Sequence, residues 1–393
     1  MASRLSIRAF LAKAKESLHQ AIQSQQKLTL VVGNESADLD SLTSSLVYSY
    51  IRSATHKPAY GSLYIPITNI PAADIALRPE FSALLPHAGL QPSSLITLDD
   101  LPRDLTSGFA PENTQWILVD HNALQGALGG IYRQRLVGTI DHHDDEHTVP
   151  DHTPDEPRII DKAGSCTSLV VEYLGDQWSS LEPAGESDSQ VAKLALASIL
   201  IDTVNMGDKS KVTAHDEAAV AYLKTKLPDF DPGIFYAELQ NAKQDVGRLC
   251  LHDILRKDYK EWEAGELHLG IASVVKPLTF LIDKASSEDA ASSFADSVAL
   301  FAKDRKLDMF AIMTTYTSEG DAFSRELLVY ASSESAVCSL EQFEKNSTSK
   351  LSLASWKGEM GDIDKGSLKV WVQKAVKHSR KQVAPLLREA CRL

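Results

Sequence analysis

Cysteine is scarce in this sequence, and no long hydrophobic run is present. The four cysteines are widely spaced and form no CxxC pair: Cys166, Cys250, Cys338 and Cys391. This pattern is typical of reduced thiols in a cytosolic protein and argues against a disulfide framework or a thiolate zinc site. No apolar run approaches the length of a membrane span, and the N-terminus lacks the apolar core of a secretory signal. We therefore expect a cytoplasmic protein with no membrane partner.

A surplus of positive charge is also absent. Lys and Arg number 40 against 53 Asp and Glu, which gives a formal net charge of −13. A protein of this charge does not wrap nucleic acid through bulk electrostatics, so we expect no nucleic-acid partner. An anionic substrate would have to meet a local cluster of Lys and Arg or a bound metal.

The N-terminal stretch admits two interpretations. Arg4 and Arg8 occur with no acidic residue before Glu16, which resembles a mitochondrial presequence and would place the protein in the matrix. A plain amphipathic helix is the stronger interpretation, because one apolar face is formed by Leu5, Phe10, Leu11, Ala14, Leu18 and Ile22.

Length and composition favour two domains. With 393 residues, 43% of them hydrophobic, the chain can bury two cores of ordinary domain size. Two prolines, Pro228 and Pro232, punctuate the end of a helical pattern that spans Thr213–Leu227. We predict a first domain at 1–227, a linker at 228–235 and a second, smaller domain at 236–393, and we expect a monomer.

Short apolar runs bounded by turn residues indicate the strands of the first domain. They lie at Leu28–Val32, Leu63–Ile67, Leu95–Leu98, Trp116–Val119, Leu136–Ile140 and Arg158–Ile160. Because helical or loop segments separate these runs, they predict an α/β fold with a doubly wound, mainly parallel sheet.

The second domain is predicted to be a smaller mixed α/β unit. It begins with a long helical pattern at Phe235–Trp262, and further helices are expected at 276–303 and near the C-terminus. Its strand candidates are Leu267–Val275, Met309–Tyr316, Leu327–Ala331 and Leu368–Val372.

Carboxylates follow the first predicted strand. The run Leu28–Val32 ends at Gly33, and Asp38 and Asp40 come next, before a helical apolar spacing begins. Carboxylates crowded at the end of a strand repel each other unless a cation neutralises them, which suggests a metal or catalytic site. The alternative is that one of the two merely caps the following helix.

Three further segments end in possible metal ligands. Asp120 follows the strand at Trp116–Val119, Asp141-His142-His143 follow the next strand, and Asp202 ends the apolar run ALASILI. In doubly wound sheets, ligands bind outside the carboxyl ends of the strands, so the segments should converge. Any one of these residues alone would more often be a cap or a structural histidine.

The combined donor set predicts a metal-dependent hydrolase. Candidate ligands are Asp38, Asp40, Asp120, His142 and Asp202, with Asn34 and His143 beside them. Oxygen donors with one imidazole suit two divalent cations, Mg²⁺ or Mn²⁺, and disfavour thiolate-type zinc. Two such ions can activate water and hold both oxygens of a displacement at phosphorus, so phosphoester or phosphoanhydride hydrolysis is the natural reaction.

The ordered motifs resemble those of the DHH phosphoesterase superfamily. They are Gly33-Asn-Glu-Ser-Ala-Asp-Leu-Asp40, Val119-Asp-His-Asn122, Asp141-His-His143 and Ile201-Asp-Thr-Val-Asn205. In the second half, Asp258-Tyr-Lys260 and Ser379-Arg-Lys-Gln382 resemble motifs of its DHHA2 branch, which contains family II inorganic pyrophosphatases, prune-type proteins and fungal exopolyphosphatases. No GGGH-like motif of the DHHA1 branch occurs, which counts against a nanoRNA or cyclic-dinucleotide phosphodiesterase.

The resemblance implies a role for each candidate. One metal would be held by Asp38 and Asp120, and the other by Asp40, Asp120, His142 and Asp202, with Asp120 as the bridge. His143 would contact the substrate or protonate the departing phosphate oxygen, and Asp141 would orient the two histidines. Phosphate oxygens would be bound by Lys260, Arg380 and Lys381.

Asn34 marks a departure from the pyrophosphatases. They carry a histidine four residues before the first aspartate of the first motif, where this chain has Asn34. Loss of the imidazole favours Mg²⁺ over Mn²⁺ and leaves room near the phosphates, so we place Asn34 among the substrate-binding residues. This residue and the chain length predict an exopolyphosphatase acting on inorganic polyphosphate. The alternatives are a pyrophosphatase, a prune-like hydrolase of short polyphosphates or nucleotides, and an interaction protein on the same fold.

Overall fold

The computed structural model describes residues 4–247, 249–289, 292–317, 322–358 and 367–392. They form two compact units, Met1–Lys243 and Gln244–Leu393. The linker predicted at 228–235 stays a prediction. In the structure this segment leads into a helix whose Phe235 and Leu239 are buried in the core of the first unit.

The first unit contains a parallel sheet of five strands in the order β2-β1-β3-β4-β5. The strands are β1 (Leu28–Val32), β2 (Tyr64–Ile67), β3 (Thr114–Val119), β4 (Leu136–Asp141) and β5 (Arg158–Ile160). β1 and β2 are buried along their whole length, as expected where helices cover both faces of a parallel sheet. The predicted doubly wound parallel sheet is thereby confirmed.

The strand predicted at Leu95–Leu98 is wrong. Two short 3-10 turns, Pro92–Ser94 and Leu98–Asp100, flank this segment, and a single bridge joins Thr97 to Thr68. The cause is local, because the Asp100 carboxylate accepts the Thr97 backbone N–H at 2.9 Å and closes a turn. Leu95 and Ile96 are buried, so the apolar run serves the core without forming a strand.

Helices surround the first sheet. They are α1 (Ile7–Ser24), α2 (Leu39–Thr55), α3 (Pro79–Leu84), α4 (Leu105–Gly108), α5 (Gly126–Tyr132), α6 (Cys166–Ser179), α7 (Glu186–Asp202), α8 (Ala214–Lys226) and α9 (Pro232–Gln244). α1 is the predicted amphipathic helix, although Leu5 precedes it and is exposed. α2 and α7 are buried on most sides, which explains their continuous apolar and small residues. Among the described residues, no helix is long and apolar enough to cross a membrane.

The second unit contains a mixed sheet of six strands in the order β12-β13-β11-β8-β7-β6. Its strands are β6 (Tyr259–Ala264), β7 (Leu267–Val274), β8 (Met309–Thr314), β11 (Glu326–Ala331), β12 (Leu353–Ser355) and β13 (Leu368–Gln373). β7 and β8 pair in parallel and the other neighbours are antiparallel, so the predicted mixed sheet is confirmed. A separate hairpin consists of β9 (Tyr316–Thr317) and β10 (Phe323–Ser324).

The single helix predicted at Phe235–Trp262 is wrong. α9 ends at Gln244, α10 covers Leu251–Lys257, and the remaining residues belong to β6. The aromatic residues Tyr259 and Trp262 suit a strand, and Gly265, with φ of +67°, allows the tight turn into β7. The pattern of apolar residues does not distinguish a half-exposed edge strand from a helix end here.

The remaining helices pack on both faces of the second sheet. They are α11 (Leu278–Glu288), α12 (Phe294–Asp304), α13 (Glu334–Leu351) and α14 (Arg380–Ala390). Two clusters of buried residues result, one containing α13 and α14 and the other α11 and α12. α13 has no counterpart among the predicted helices.

Candidate metal centre

The candidate ligands of the first unit lie at the carboxyl edge of its sheet. Asp120 follows β3, Asp141 ends β4, and His142 and His143 come next. Asp40 lies in the first turn of α2, just after β1. Asp202 is the last residue of α7.

Asp120 is fixed by the backbone and by two donors. Its φ of 62° lies in the left-handed region, which is uncommon for a residue other than glycine and often marks functional sites. Its Oδ2 accepts hydrogen bonds from Ser41 Oγ at 2.7 Å and from Asn34 Nδ2 at 2.8 Å. Its Oδ1 lies 3.2 Å from His142 Nε2. Oδ2 is therefore occupied by two hydrogen-bond donors, whereas Oδ1 faces His142.

The orientation of His142 follows from one backbone contact. Its Nδ1 lies 3.0 Å from the carbonyl oxygen of Ala163, which can only accept, so Nδ1 carries the proton. Nε2 then faces two carboxylates, Asp120 Oδ1 at 3.2 Å and Asp40 Oδ2 at 4.0 Å. A backbone carbonyl that orients the far nitrogen is the usual arrangement of a metal-binding histidine.

Asp40 is buried and held by the start of α6. Its Oδ1 accepts hydrogen bonds from Ser165 Oγ at 2.7 Å, Thr167 N at 2.9 Å and Thr167 Oγ1 at 2.7 Å. Its Oδ2 accepts from Cys166 N at 2.6 Å. The carboxylate thus caps the free N–H groups of α6, and its Oδ2 is the oxygen turned toward His142.

Asp38 and Asp202 differ in their surroundings. Asp38 is exposed, and its carboxylate accepts the Ser41 N–H at 3.1 Å as the N-cap of α2, so the capping alternative holds for this residue. Asp202 Oδ2 is buried and has no hydrogen-bond partner. A buried carboxylate oxygen without a donor requires compensation, which a bound cation would provide.

Three residues meet a distance criterion for a shared ion. Among the described residues, Asp120, His142 and His143 each place one possible ligand atom within 4.8 Å of the others. Sequence reasoning assigned His143 to the substrate, whereas the structure also places it beside the predicted metal ligands. The metal roles of Asp38, Asp40 and Asp202 stay predictions.

The pKa shifts within the cluster indicate that its carboxylates lack a neutralising positive charge. Burial, together with the charges of Asp38 and Asp40, raises the pKa of Asp120 well above its usual range. Burial and the same two carboxylates also raise the pKa of Asp202. Burial opposes a charged imidazole at His142, but hydrogen bonding to Asp120 and the charge of Asp40 raise its pKa to about 10. Protons are thus favoured where a divalent cation would supply the same charge.

Asp141 orients His143 and is itself oriented by Asn122. Asp141 is fully buried, and its Oδ1 lies 2.8 Å from His143 Nδ1. Its Oδ2 accepts from Asn122 Nδ2 at 2.6 Å. Burial alone would raise the pKa of Asp141, but the hydrogen bonds from His143 and Asn122 outweigh it and lower that pKa. Asp141 therefore stays ionised and fixes the orientation of the His143 ring.

Asn34 contacts the cluster through its NH₂ group. Its Oδ1 accepts from the backbone of Ser36 at 2.9 Å and of Ala37 at 3.2 Å, which fixes the orientation of the amide. Its Nδ2 then donates to Asp120 Oδ2. Asn34 therefore acts on a predicted metal ligand as a hydrogen-bond donor, and its predicted contact with substrate stays a prediction.

The predicted phosphate-binding residues lie in the second unit. Lys260 and Lys381 are exposed, on β6 and in the first turn of α14. The Arg380 guanidinium donates to Asp258 Oδ1 at 2.7 Å and to the Asp258 carbonyl at 3.1 Å. This contact links the two motifs within the unit, and their role in substrate binding stays a prediction.

Sequence reasoning missed several residues around the carboxylates. His121 has a buried Nε2 without a partner, and Asn122, Ser165 and Thr167 donate to the acids described above. A signal existed for part of this set, because small polar residues before the apolar run of α6 are typical of a helix N-terminus.

Comparisons with known proteins identify the family. The model described as "DHH family, N-terminal domain" matches residues 28–199, and the one described as "DHHA2 domain" matches residues 237–390. A Schizosaccharomyces pombe protein named "Putative exopolyphosphatase" is 32% identical over 396 residues, which cover 97% of each chain. The chain belongs to the DHH/DHHA2 phosphoesterase family. This finding confirms the resemblance stated from the motifs.

Other members of the DHH/DHHA2 family extend the comparison. Human "Exopolyphosphatase PRUNE1" is 27% identical over 94% of this chain and 77% of its own. The "Manganese-dependent inorganic pyrophosphatase" of Methanothrix thermoacetophila is 26% identical over 72% of this chain and 80% of its own. The crystal structure of a "putative family II inorganic pyrophosphatase" from Methanococcus jannaschii, at 21% identity, covers 92% of this chain and 99% of its own with a TM-score of 0.54, which shows a shared fold.

Proposed function

We propose that this DHH phosphoesterase is an exopolyphosphatase that hydrolyses the terminal phosphoanhydride bond of linear polyphosphate and releases orthophosphate. The observation that carries the proposal is the convergence of Asp40 Oδ2, Asp120 Oδ1 and His142 Nε2 at the edge of the first sheet. The names of the fungal and human relatives support this choice of substrate.

Two divalent cations, Mg²⁺ or Mn²⁺, fit the donor set. The proposed ligands are Asp38, Asp40, Asp120, His142 and Asp202. Their fit is supported by the oriented Nε2 of His142 and by the buried Asp202 oxygen that no donor satisfies. When bound, the cations would neutralise phosphoryl oxygens and make the attacking water more acidic. Because Asp120 Oδ2 is already occupied by Ser41 and Asn34, a bridging role would use Oδ1.

His143 is proposed to donate the proton that the leaving phosphate oxygen needs. Its side chain is about half exposed, at 49%, and its Nδ1 is bound to ionised Asp141. Because Asp141 engages Nδ1, Nε2 is the ring nitrogen left to face the leaving oxygen. Asn122 holds Asp141 in place and thereby keeps the direction of the ring.

We propose that phosphate oxygens of the polyphosphate are bound by Lys260, Arg380 and Lys381. Arg380 presents a planar fork that matches a phosphate group, and in the structure this fork is engaged by Asp258. Substrate would therefore compete with Asp258 for the guanidinium. We further propose that the protein acts as a monomer in the cytoplasm.

A pyrophosphatase is the second candidate, favoured by the similarity to the manganese-dependent archaeal enzyme. A prune-like hydrolase of short polyphosphates or nucleotides is the remaining enzymatic alternative. A non-catalytic interaction protein is disfavoured, because the buried carboxylates of Asp40 and Asp120 and the buried Asp202 oxygen that no donor satisfies would destabilise a protein that had no use for them.

The test is phosphate release from long-chain polyphosphate and from pyrophosphate, measured with Mg²⁺ and Mn²⁺ in turn. We expect a higher kcat/KM for polyphosphate and no activity in EDTA. Asp202→Asn serves as the inactive control, and Asp176→Asn, at an exposed position of α6, as the neutral one. A preference for pyrophosphate would replace the proposal by the second candidate, and no hydrolysis of either substrate would refute both.

A further inference from the structure

Five buried hydroxyl groups lie next to Asp40. They belong to three helices and the residue before one of them: Thr43, Ser44, Ser165, Thr167 and Ser198. All five residues are at most 1% exposed. Hydroxyls in a dry core must find partners within the protein, so their hydrogen bonds carry information about where each proton points.

The directions of these bonds follow from the carboxylate. Asp40 Oδ1 accepts the backbone N–H of Thr167, and the Thr167 hydroxyl donates to the same oxygen at 2.7 Å. The Thr167 oxygen then accepts from Ser198 Oγ at 2.9 Å and from Ser44 Oγ at 2.8 Å. Ser198 in turn accepts from Thr43 Oγ1 at 2.8 Å. Thr43 Oγ1 also lies 3.0 Å from Thr167 Oγ1, so the chain of hydroxyls reaches Asp40 through Thr167 from both Thr43 and Ser198.

This chain makes the two oxygens of Asp40 unequal. Oδ1 receives three strong donors, from Ser165 Oγ, Thr167 N and Thr167 Oγ1. Oδ2 receives one, from Cys166 N, and lies 4.0 Å from His142 Nε2. Rotation of the carboxylate would break the Oδ1 contacts of a buried group, so Oδ2 is held toward the histidine.

We propose that Thr167 is a positioning residue that sets the affinity of this centre for Mn²⁺ through Asp40. The inference rests on the metal centre of the proposed function and does not depend on which phosphate compound is the substrate. Hydrogen bonds to a ligating carboxylate fix its direction and its charge, and partners of this kind typically change metal affinity by about 10–100-fold. Thr167 connects the Asp40 carboxylate, through hydrogen bonds, with the hydroxyls of Ser198 and Ser44.

The experiment compares Thr167→Val, Thr167→Ser and Thr43→Val in the full-length protein. Valine keeps the shape of threonine and removes the hydroxyl, and serine keeps the hydroxyl. Thr43→Val removes a hydroxyl that contacts Thr167 and Ser198 and is bonded to Asp40 only through Thr167. Mn²⁺ affinity is measured without substrate, by electron paramagnetic resonance of free Mn²⁺. Thermal unfolding in EDTA and the Mn²⁺ dependence of phosphate release are measured in parallel.

We expect Thr167→Val to weaken Mn²⁺ binding by about 10–100-fold and its activity to recover at high Mn²⁺. Thr167→Ser should bind Mn²⁺ like the wild type, and Thr43→Val should show a smaller loss than Thr167→Val. An unchanged Mn²⁺ affinity in Thr167→Val, whatever its thermal stability, would overturn the proposal, as would an equal loss in Thr167→Ser. Recovery of activity by Mn²⁺ is a response that a purely structural role would not produce.

A second variant keeps the test decisive if Thr167→Val does not fold. Ser165→Ala removes another donor to Asp40 Oδ1 at the start of α6, and it should weaken Mn²⁺ binding in the same way. Wild-type protein that binds Mn²⁺ but releases no phosphate from polyphosphate would refute the proposed substrate and leave this inference standing. Wild-type protein that binds no Mn²⁺ would refute both.

Discussion

The substitution Asp120→Asn should abolish activity while leaving the metal-free protein at least as stable as the wild type. Asparagine can keep both hydrogen bonds that Oδ2 accepts, from Ser41 at 2.7 Å and Asn34 at 2.8 Å. What it removes is the charge of a buried carboxylate whose neighbours are Asp38 and Asp40. Activity should fall on the order of a thousandfold or more, which corresponds to about 4 kcal/mol of transition-state stabilisation.

The expected change in stability has the opposite sign. Two unit charges about 4–8 Å apart at an effective dielectric constant of about 20 repel each other by roughly 2–4 kcal/mol. The raised pKa of Asp120 shows that protonation already relieves part of this repulsion, so the net gain from asparagine should be about 1 kcal/mol. For a unit of this size, the melting temperature in EDTA should rise by about 2–4 °C.

The assay is thermal unfolding in EDTA and in excess Mn²⁺, combined with phosphate release. Wild type should gain about 2.7 kcal/mol when Mn²⁺ is present at about 100 times its dissociation constant, and Asp120→Asn should gain much less. The control is Asp188→Asn, which changes a buried carboxylate bound to Arg4 and Trp178 and should lower stability in EDTA. If Asp120→Asn were destabilised in EDTA, kept its stabilisation by Mn²⁺ or turned over normally, the assignment of the centre would be wrong.

Three further outcomes are expected. Burial would raise the pKa of Asp188, but donors including Trp178, Ala184 N and Arg4 lower it. The contribution of the ionised Asp188 to folding stability, about 1–2 kcal/mol, is therefore present above pH ~4. It should be lost as the pH falls through the folded-state value, and in acid titrations of stability Asp188→Asn should lack this transition. Arg380→Lys should lower kcat/KM on polyphosphate by roughly tenfold, because the fork now engaged by Asp258 is lost while the charge remains; an unchanged value would make Arg380 a surface residue. Asn34→His should place a ring nitrogen beside Asp120, tighten Mn²⁺ binding and raise the ratio of pyrophosphate to polyphosphate hydrolysis; if neither moves, Asn34 acts only as a hydrogen-bond donor.

The sheet of the first unit and the ends of its strands could be predicted from local pattern. Runs such as Leu28–Val32 are apolar throughout because both faces are covered, and the polar residues after them lie where parallel strands end. The same reasoning failed at Leu95–Leu98, where the buried residues Leu95 and Ile96 lie between two 3-10 turns, the second of which Asp100 closes. An apolar run indicates that a segment is buried. It does not show whether a neighbouring strand is available to pair with that segment.

The motifs located the acids but not what holds them. Asp38 shows that the two interpretations offered for it are compatible, since it caps α2 and lies within the electrostatic reach of Asp120 and Asp202. The donors to Asp40 come from Ser165 and Thr167, more than a hundred positions away in the chain. No periodicity links such residues, and only the folded arrangement of the helices brings them together.

Donors supplied by the fold hold the buried carboxylates of Asp40 and Asp120 in place. Asp40 and Asp120 each direct one oxygen into a set of donors and present the other to His142. Asp40 Oδ1 is held by donors at the start of α6, and Asp120 Oδ2 by Ser41 and Asn34. Asp40 Oδ2 accepts one further hydrogen bond, from Cys166 N, whereas Asp120 Oδ1 faces His142 Nε2. If Asp40 Oδ2 and Asp120 Oδ1 bind the proposed cations, both the loss of the Asp120 charge and the loss of a donor to Asp40 should weaken Mn²⁺ binding, but only the loss of the charge should raise the stability of the metal-free protein.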